Sequence, residues 1–134
     1  MQKSYRLACA ALLLVLPLGD AAGGVDRGTL GDVSQAVVTL YNRDDAAALH
    51  AMLAPDRRRH WPIEPFARRL TDCRRRLGTI ERISLPVMGT RTFGFIAAYF
   101  EATVSDMFLE IDQDGFIEVL TFKGQDDVCV LSQP

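Results

Sequence analysis

A dense cluster of cations occupies residues 57–61, where the sequence reads RRRHW. Guanidinium groups donate charge-assisted hydrogen bonds to carboxylates and phosphates, and they can also stack on an aromatic ring. The cluster lies between Pro55 and Pro62, so we expect it in a loop, where helical periodicity does not account for its charge. The candidate binding residues are Arg57, Arg58, Arg59, His60 and Trp61.

A second group of arginines, at 68–76, has a structural explanation. Pro62 and Pro65 open a predicted helix, and Gly78 ends it. The arginines avoid its apolar positions, and those at 74–76 fall in the last turn, where cations interact favourably with the helix dipole. The apolar positions recur at helical spacing and are Phe66, Leu70, Cys73 and Leu77. We therefore interpret these arginines as a solvated helix face.

Charge is distributed unevenly along the chain, although the formal net charge is only −2. Residues 57–91 contain ten arginines and three acids, a net charge of +7. Residues 92–134 contain one lysine and eight acids, a net charge of −7. The acidic overall balance argues against a nucleic-acid partner. The basic segment could instead meet the acidic half of a second copy, so a homodimer is one expectation.

The N-terminus has the pattern of a secretory signal peptide. Lys3 and Arg6 precede an uncharged run at 7–18, and small residues follow it. The run is too short to span a bilayer, which takes about 20 apolar residues. We predict a signal peptide at residues 1–23 and a mature chain, residues 24–134, that is periplasmic or secreted and has no membrane span. In that compartment an anionic small molecule, an anionic envelope component or an acidic protein surface would suit the arginine cluster.

The cysteines agree with export. Cys9 lies in the predicted signal peptide, which leaves Cys73 and Cys129, an even number. Paired cysteines in an oxidising compartment form disulfides, whereas two buried free thiols are the alternative. We predict a Cys73–Cys129 bridge.

The mature chain reads as helices followed by strands. Thr29 with Asp32 resembles a capping box for a first helix that ends near Asn42, and Asp44 or Asp45 caps a short second helix that Pro55 ends. After the third helix the segments TIERISLPV, RTFGFIAAYFEA, DMFLEID and FIEVLTFK have strand composition. This order predicts one α+β domain with three N-terminal helices packed on a four-stranded antiparallel sheet.

The segment at 110–121, EIDQDGFIEVLT, partly matches a calcium-binding loop. However, Glu110 stands where Asp is preferred, and Thr121 replaces the bidentate Glu. The flanking residues alternate as strands do, so DQDG is better explained as a hairpin turn with Gly115 at positive φ. We therefore predict no metal site and no cofactor.

The segments AVVTLYNRDDAAALHAMLAPD (36–56), LGTIERI (77–83) and IDQDGFIEVLTF (111–122) resemble the nuclear-transport-factor-2-like superfamily, the cystatin-like α+β cone. They are similar to its exported, helix-first members, over about residues 30–123. The resemblance implies a curved, cone-like sheet with a pocket between it and the helices. The family includes isomerases, dehydratases, polyketide cyclases and non-catalytic binding modules, so the fold does not fix the function.

An enzyme on this cone would need acid–base groups in that pocket. Tyr99 and Glu101, on one face of a strand, are the candidates, and their ordinary interpretation is a tyrosine at the edge of the core and a glutamate at the rim. Because the strands are mainly apolar, we predict an exported, non-catalytic binding or interaction module. The alternative is a small-molecule isomerase, dehydratase or cyclase that uses Tyr99 and Glu101.

Overall fold

The computed structural model describes residues 27–134, so the predicted signal peptide at 1–23 lies outside the described residues. The helices are α1 (Arg27–Asn42), α2 (Ala46–Ala51), α3 (Pro55–His60) and α4 (Ile63–Leu77). The strands are β1 (Ile80–Ile83), β2 (Met88–Gly89), β3 (Phe93–Phe100), β4 (Val104–Ile111), β5 (Ile117–Lys123) and β6 (Val128–Val130). None of these helices is long and apolar enough to cross a lipid bilayer.

The predicted α+β architecture, with helices packed on an antiparallel sheet, is confirmed, but the element counts differ. The sheet has the order β1-β3-β4-β5-β6, five strands rather than four, and the two-residue β2 also pairs with β3. The additional strand β6 has only three residues, too few for alternation to be recognised. It forms because the chain reverses at 124–127, where Gly124 N–H donates to the Asp127 carbonyl.

The additional helix α3 contains residues predicted to lie in a loop. Pro55 occupies its first turn, where a missing N–H breaks no hydrogen bond. Asp56 lies at the positive end of the helix dipole and Arg57–His60 at the negative end. Pro55 therefore starts a new helix after α2 instead of a loop.

The core lies between the helices and one face of the sheet. Buried and partly exposed residues alternate along β3, with Ile96, Ala98 and Phe100 facing the helices. The rings of Tyr41, Phe100 and Phe122 fill the centre. The centroid of the Tyr41 ring lies 5.7 Å from the centroid of Phe100 and 5.6 Å from that of Phe122. Such edge-to-face contacts add to the stabilisation that comes from burial. The space beneath this part of the sheet is therefore packed with side chains.

The other face of the sheet lies outside the core, and we call it the open face. Strand alternation and register place on it Phe93, Phe95, Ala97, Tyr99, Asp106, Phe108, Glu110, Val119, Thr121 and Lys123. All of these residues are at least partly exposed. The aromatic members cluster, since the Phe95 centroid is 5.0 Å from Phe93 and 4.7 Å from Phe108.

Candidate functional site

The three arginines of the predicted binding cluster each contact a partner within the chain. Arg57 Nε donates to Glu118 Oε2 at 3.2 Å, which links α3 to β5. The Arg58 guanidinium lies 5.7 Å from the centre of the Phe116 ring. Arg59 forms an ion pair with Asp56, one turn earlier in α3. The cluster had no obvious charge partners in the sequence, but in the structure Arg57 and Arg59 form ion pairs and Arg58 contacts an aromatic ring.

His60 and Trp61 lie in different environments. His60 is exposed, and its Nδ1 is 2.8 Å from the Asp56 carbonyl oxygen. Because a carbonyl only accepts, Nδ1 is the donor, and neutral His60 has an acceptor at Nε2. Trp61 is only 2% exposed and packs edge-on against Phe66 at 5.2 Å. The structure thus groups Arg57 and His60 on the surface and places Trp61 in the core.

A pocket of about 360 Å³ lies beside Arg57 and His60. Its other lining residues are Asp56, Glu118, Ser132, Gln133 and Pro134. Sequence reasoning missed these five residues. Glu118 stands 61 residues from Arg57 in the chain, and no local spacing rule connects them. The side chains that line the pocket offer a guanidinium, two carboxylates, an imidazole, an amide and a hydroxyl.

The arginines of α4 are only partly the solvated face that their spacing indicates. Arg68 and Arg75 are exposed. Arg74, in contrast, donates to the Asn42 carbonyl at 3.0 Å and pairs with Asp44 at 3.4 Å. The solvated-face interpretation is wrong for Arg69 and Arg74, which are partly buried and bind segments distant in the sequence. Arg76 is exposed as expected, but it also binds the distant Asp127.

Arg69 and Arg76 cover the outer edge of β6. Leu131 N–H donates to Leu120 on β5, so ladder alternation directs the Val128 and Val130 carbonyls away from β5. Arg69 Nη1 reaches the Val130 oxygen at 3.3 Å, and Arg76 Nη2 reaches the Val128 oxygen at 3.4 Å. Arg76 also forms an ion pair with Asp127. These contacts protect an edge that could otherwise pair with another strand.

Replacing Arg76 by glutamine should lower the free energy of unfolding by about 0.5–1 kcal/mol, because two partly exposed ion pairs, with Asp72 and Asp127, and an edge contact are lost. Arg75→Gln is the matched control, since within residues 27–134 Arg75 pairs only with Asp72 on its own helix. Urea unfolding at low and high salt measures both effects, and the Arg76 loss should shrink as salt screens the ion pair. Equal losses in the two variants would contradict the edge contact.

Asn42 covers the opposite edge of the sheet, at the start of β1. Its Nδ2 donates to the Ile80 carbonyl at 2.9 Å, and its Oδ1 accepts from Ile80 N–H at 2.8 Å. The neighbouring Tyr41 hydroxyl donates to the Gly78 carbonyl at 3.2 Å, and burial raises the pKa of this phenol. Gly78 has φ +80°, and a Cβ there would lie 2.9 Å from Glu101 Oε2. The junction of α1, α4 and β1 is thus closely fitted.

Tyr99 and Glu101, the candidates for catalysis, both lie outside the buried core. The Arg82 guanidinium lies 3.5 Å from the centre of the Tyr99 ring on the open face. Glu101 is exposed and accepts a hydrogen bond from the Thr79 hydroxyl. The two side chains therefore do not converge on the space between helices and sheet.

The segment at 110–121 forms the predicted hairpin turn. Asp112 Oδ1 accepts from the N–H groups of Asp114 and Phe116, both at 2.9 Å. Gly115 has φ +84°, as expected. Within residues 27–134, no three His, Cys, Asp or Glu side chains are grouped so that they could hold a metal ion.

Cys73 of α4 and Cys129 of β6 lie at disulfide-bonding distance, with Cα atoms 5.8 Å apart, so the predicted pair is confirmed in its geometry. Both side chains are buried. The separation falls within the range that a disulfide requires. The bridge joins the last helix to the last strand.

No family model matches the chain, and no curated protein or solved structure matches it either.

Proposed function

We propose that the protein is an exported, non-catalytic binding and interaction module of the nuclear-transport-factor-2-like type, and that its open face binds a second copy of the chain. The observation that carries the proposal is the cluster of Phe93, Phe95 and Phe108 outside the core. Clustered aromatic side chains on a surface are typical of protein interfaces. Export is supported by the signal-peptide pattern and by the Cys73–Cys129 pair.

The mode of association is face to face because strand addition at the sheet edges is obstructed. Asn42 occupies the polar groups of Ile80 at one edge. Arg69 and Arg76 occupy the carbonyls of β6 at the other edge. A partner therefore gains most by burying the aromatic cluster, since apolar burial drives association.

The charges on the open face favour a second copy as the partner. Arg82 and Lys123 are balanced by Asp106 and Glu110, and Asp106 lies opposite Lys123 in the ladder. A two-fold interface brings the same surface together from both subunits, so a balanced face avoids like-charge repulsion. The association of a basic with an acidic half, expected from the sequence, is not needed, because the arginines of α3 already have partners.

We do not propose a catalytic role for Tyr99 and Glu101. Tyr99 stacks with Arg82 and Glu101 bonds to Thr79, so neither side chain is directed at a substrate held beneath the sheet. The rings of Tyr41, Phe100 and Phe122 occupy the core where the cone pocket was expected. A binding role requires neither an open interior nor converging acid–base groups.

Phe95→Glu should dissociate the dimer. The change removes a central aromatic contact and places a carboxylate in the interface, so we expect a cost of about 2 kcal/mol or more, about 30-fold in Kd. Ile63→Glu is the matched control, because Ile63 is an exposed apolar residue on α4. Sedimentation velocity of the mature chain across a concentration series measures Kd. A monomeric unaltered chain at high concentration, or a Phe95→Glu dimer of unchanged Kd, would overturn the proposal.

A further inference from the structure

The pocket beside α3 has an unusual balance of charge for a site predicted to take an anion. Arg57 is bound to Glu118 on its wall, and the two side chains are 36% and 35% exposed. Asp56 lines the same pocket and pairs with Arg59. The ionisable side chains of the pocket are therefore two carboxylates, one guanidinium and one imidazole.

A simple anion fits this arrangement poorly. It would gain a hydrogen bond from Arg57 but would lie near Glu118 and Asp56, and like charges in close contact repel. Drawing Arg57 away would also leave Glu118 without its partner, which is costly for a partly desolvated charge. An anionic ligand, which the arginines at 57–59 indicate, would therefore bind unfavourably in this pocket.

A small zwitterion satisfies both halves of the pair. Its carboxylate accepts from the Arg57 guanidinium, while its ammonium donates to Glu118 and Asp56. Every charge keeps an opposite neighbour, and the volume of about 360 Å³ is adequate for a small molecule. We infer that this pocket binds a zwitterionic small molecule that carries a carboxylate and an ammonium group close together, the chemistry of an amino acid or a short peptide.

Two further groups can position such a ligand. Ser132 lines the pocket although it is only 3% exposed, and its hydroxyl can donate or accept. His60 also lines the pocket, and with Nδ1 bonded to the Asp56 carbonyl its Nε2 forms no hydrogen bond within residues 27–134. In its neutral form this nitrogen accepts from the ammonium group.

The inference gives a ligand class to the proposed binding module, but it uses none of the open-face residues. The sedimentation experiment and the ligand experiment therefore fail independently. Loss of the dimer in Phe95→Glu would leave the pocket intact, and absence of ligand binding would leave the dimer intact.

The test is a titration of the mature chain with glycine, glycylglycine, sodium acetate and methylammonium chloride at constant ionic strength, followed by amide and His60 ring chemical shifts. We expect a zwitterion to bind at least about tenfold more tightly than either singly charged probe, because each of those satisfies half of the pair. Acetate binding as tight as glycine binding would overturn the inference, and so would the absence of shifts with both zwitterions. This comparison on the unaltered chain requires no variant to fold.

Substitutions of the lining residues test whether the ligand binds in this pocket. Arg57→Gln and Glu118→Gln should each weaken zwitterion binding at least about tenfold, because each removes one charged partner. Arg58→Gln is the control on the same helix, since Arg58 lies over Phe116 and does not line the pocket. Unchanged glycine affinity in folded Glu118→Gln protein would overturn the zwitterion assignment and leave an anion site at most.

Discussion

Replacing Cys73 and Cys129 together by alanine should lower the free energy of unfolding by about 3–4 kcal/mol. The two residues are 56 positions apart. In the chain-entropy model, closing a loop of this size raises the free energy of the unfolded chain by about 4 kcal/mol, because the chain loses conformational entropy. The described domain is small, so about 4–8 °C of thermal midpoint is lost for each kcal/mol. The effect should exceed that of any single surface substitution proposed for this protein.

The measurement is urea unfolding with and without reductant. Reductant should destabilise the unaltered chain by nearly the full amount, since buried thiols can still pack as small apolar groups. The double alanine variant should not respond to reductant, which separates loss of the bridge from loss of packing. The mass of the protein before reduction should be lower, by two hydrogens, than its mass after reduction. Two thiols open to alkylation in the unreduced, denatured protein would contradict the bridge.

Local patterns predicted the long elements, although not every boundary: α1 includes Arg27, so Thr29 lies inside the helix and the capping box proposed for Thr29 and Asp32 is wrong. The predicted helix between Pro62 and Gly78 is α4, and its four apolar positions are buried. Asp45, one of two proposed caps, accepts from Ala48 N–H at the start of α2. These features depend on residues within four positions of one another, where helical spacing and capping chemistry are informative.

Contacts between distant segments could not be predicted in this way. Arg69 binds the carbonyl of Val130, 61 residues away, and Arg76 binds Asp127, 51 residues away. Both contacts depend on the position of β6, a strand of three residues held beside β5 and α4. Until that strand is placed, the arginines of α4 have only their local helix pairs to explain them.

The uneven charge of the sequence was the most misleading signal. The basic segment at 57–91 directly precedes the acidic segment at 92–134 in the chain, and the fold brings charges of the two segments into contact. Arg57 meets Glu118 and Arg76 meets Asp127, so the fold neutralises part of the charge that the sequence keeps separate. For this reason the site that contains Arg57 is a pocket of mixed charge and not a cationic one.

Asn42→Ala should have the second largest effect on stability, a loss of about 2–3 kcal/mol. The side-chain amide bonds both polar groups of Ile80, and Ile80 is only 3% exposed. Without Asn42 a buried donor and a buried acceptor lose their partners, and each such loss costs about 1–3 kcal/mol. Water that reaches the two groups of Ile80 offsets part of this cost. The damage should begin at β1, because Ile80 starts that strand.

Hydrogen exchange locates this loss, since the Ile80 amide should exchange faster in Asn42→Ala than the global destabilisation alone explains. Thr39→Ala is the control on α1, because Thr39 is exposed and its hydroxyl donates to the Gln35 carbonyl of the same helix. Asn42→Asp should give an intermediate loss, because a carboxylate still accepts from Ile80 N–H but no longer donates to the Ile80 carbonyl. A protected Ile80 amide together with unchanged stability in Asn42→Ala would show that the edge is held by the backbone ladder of β1 and β3 alone.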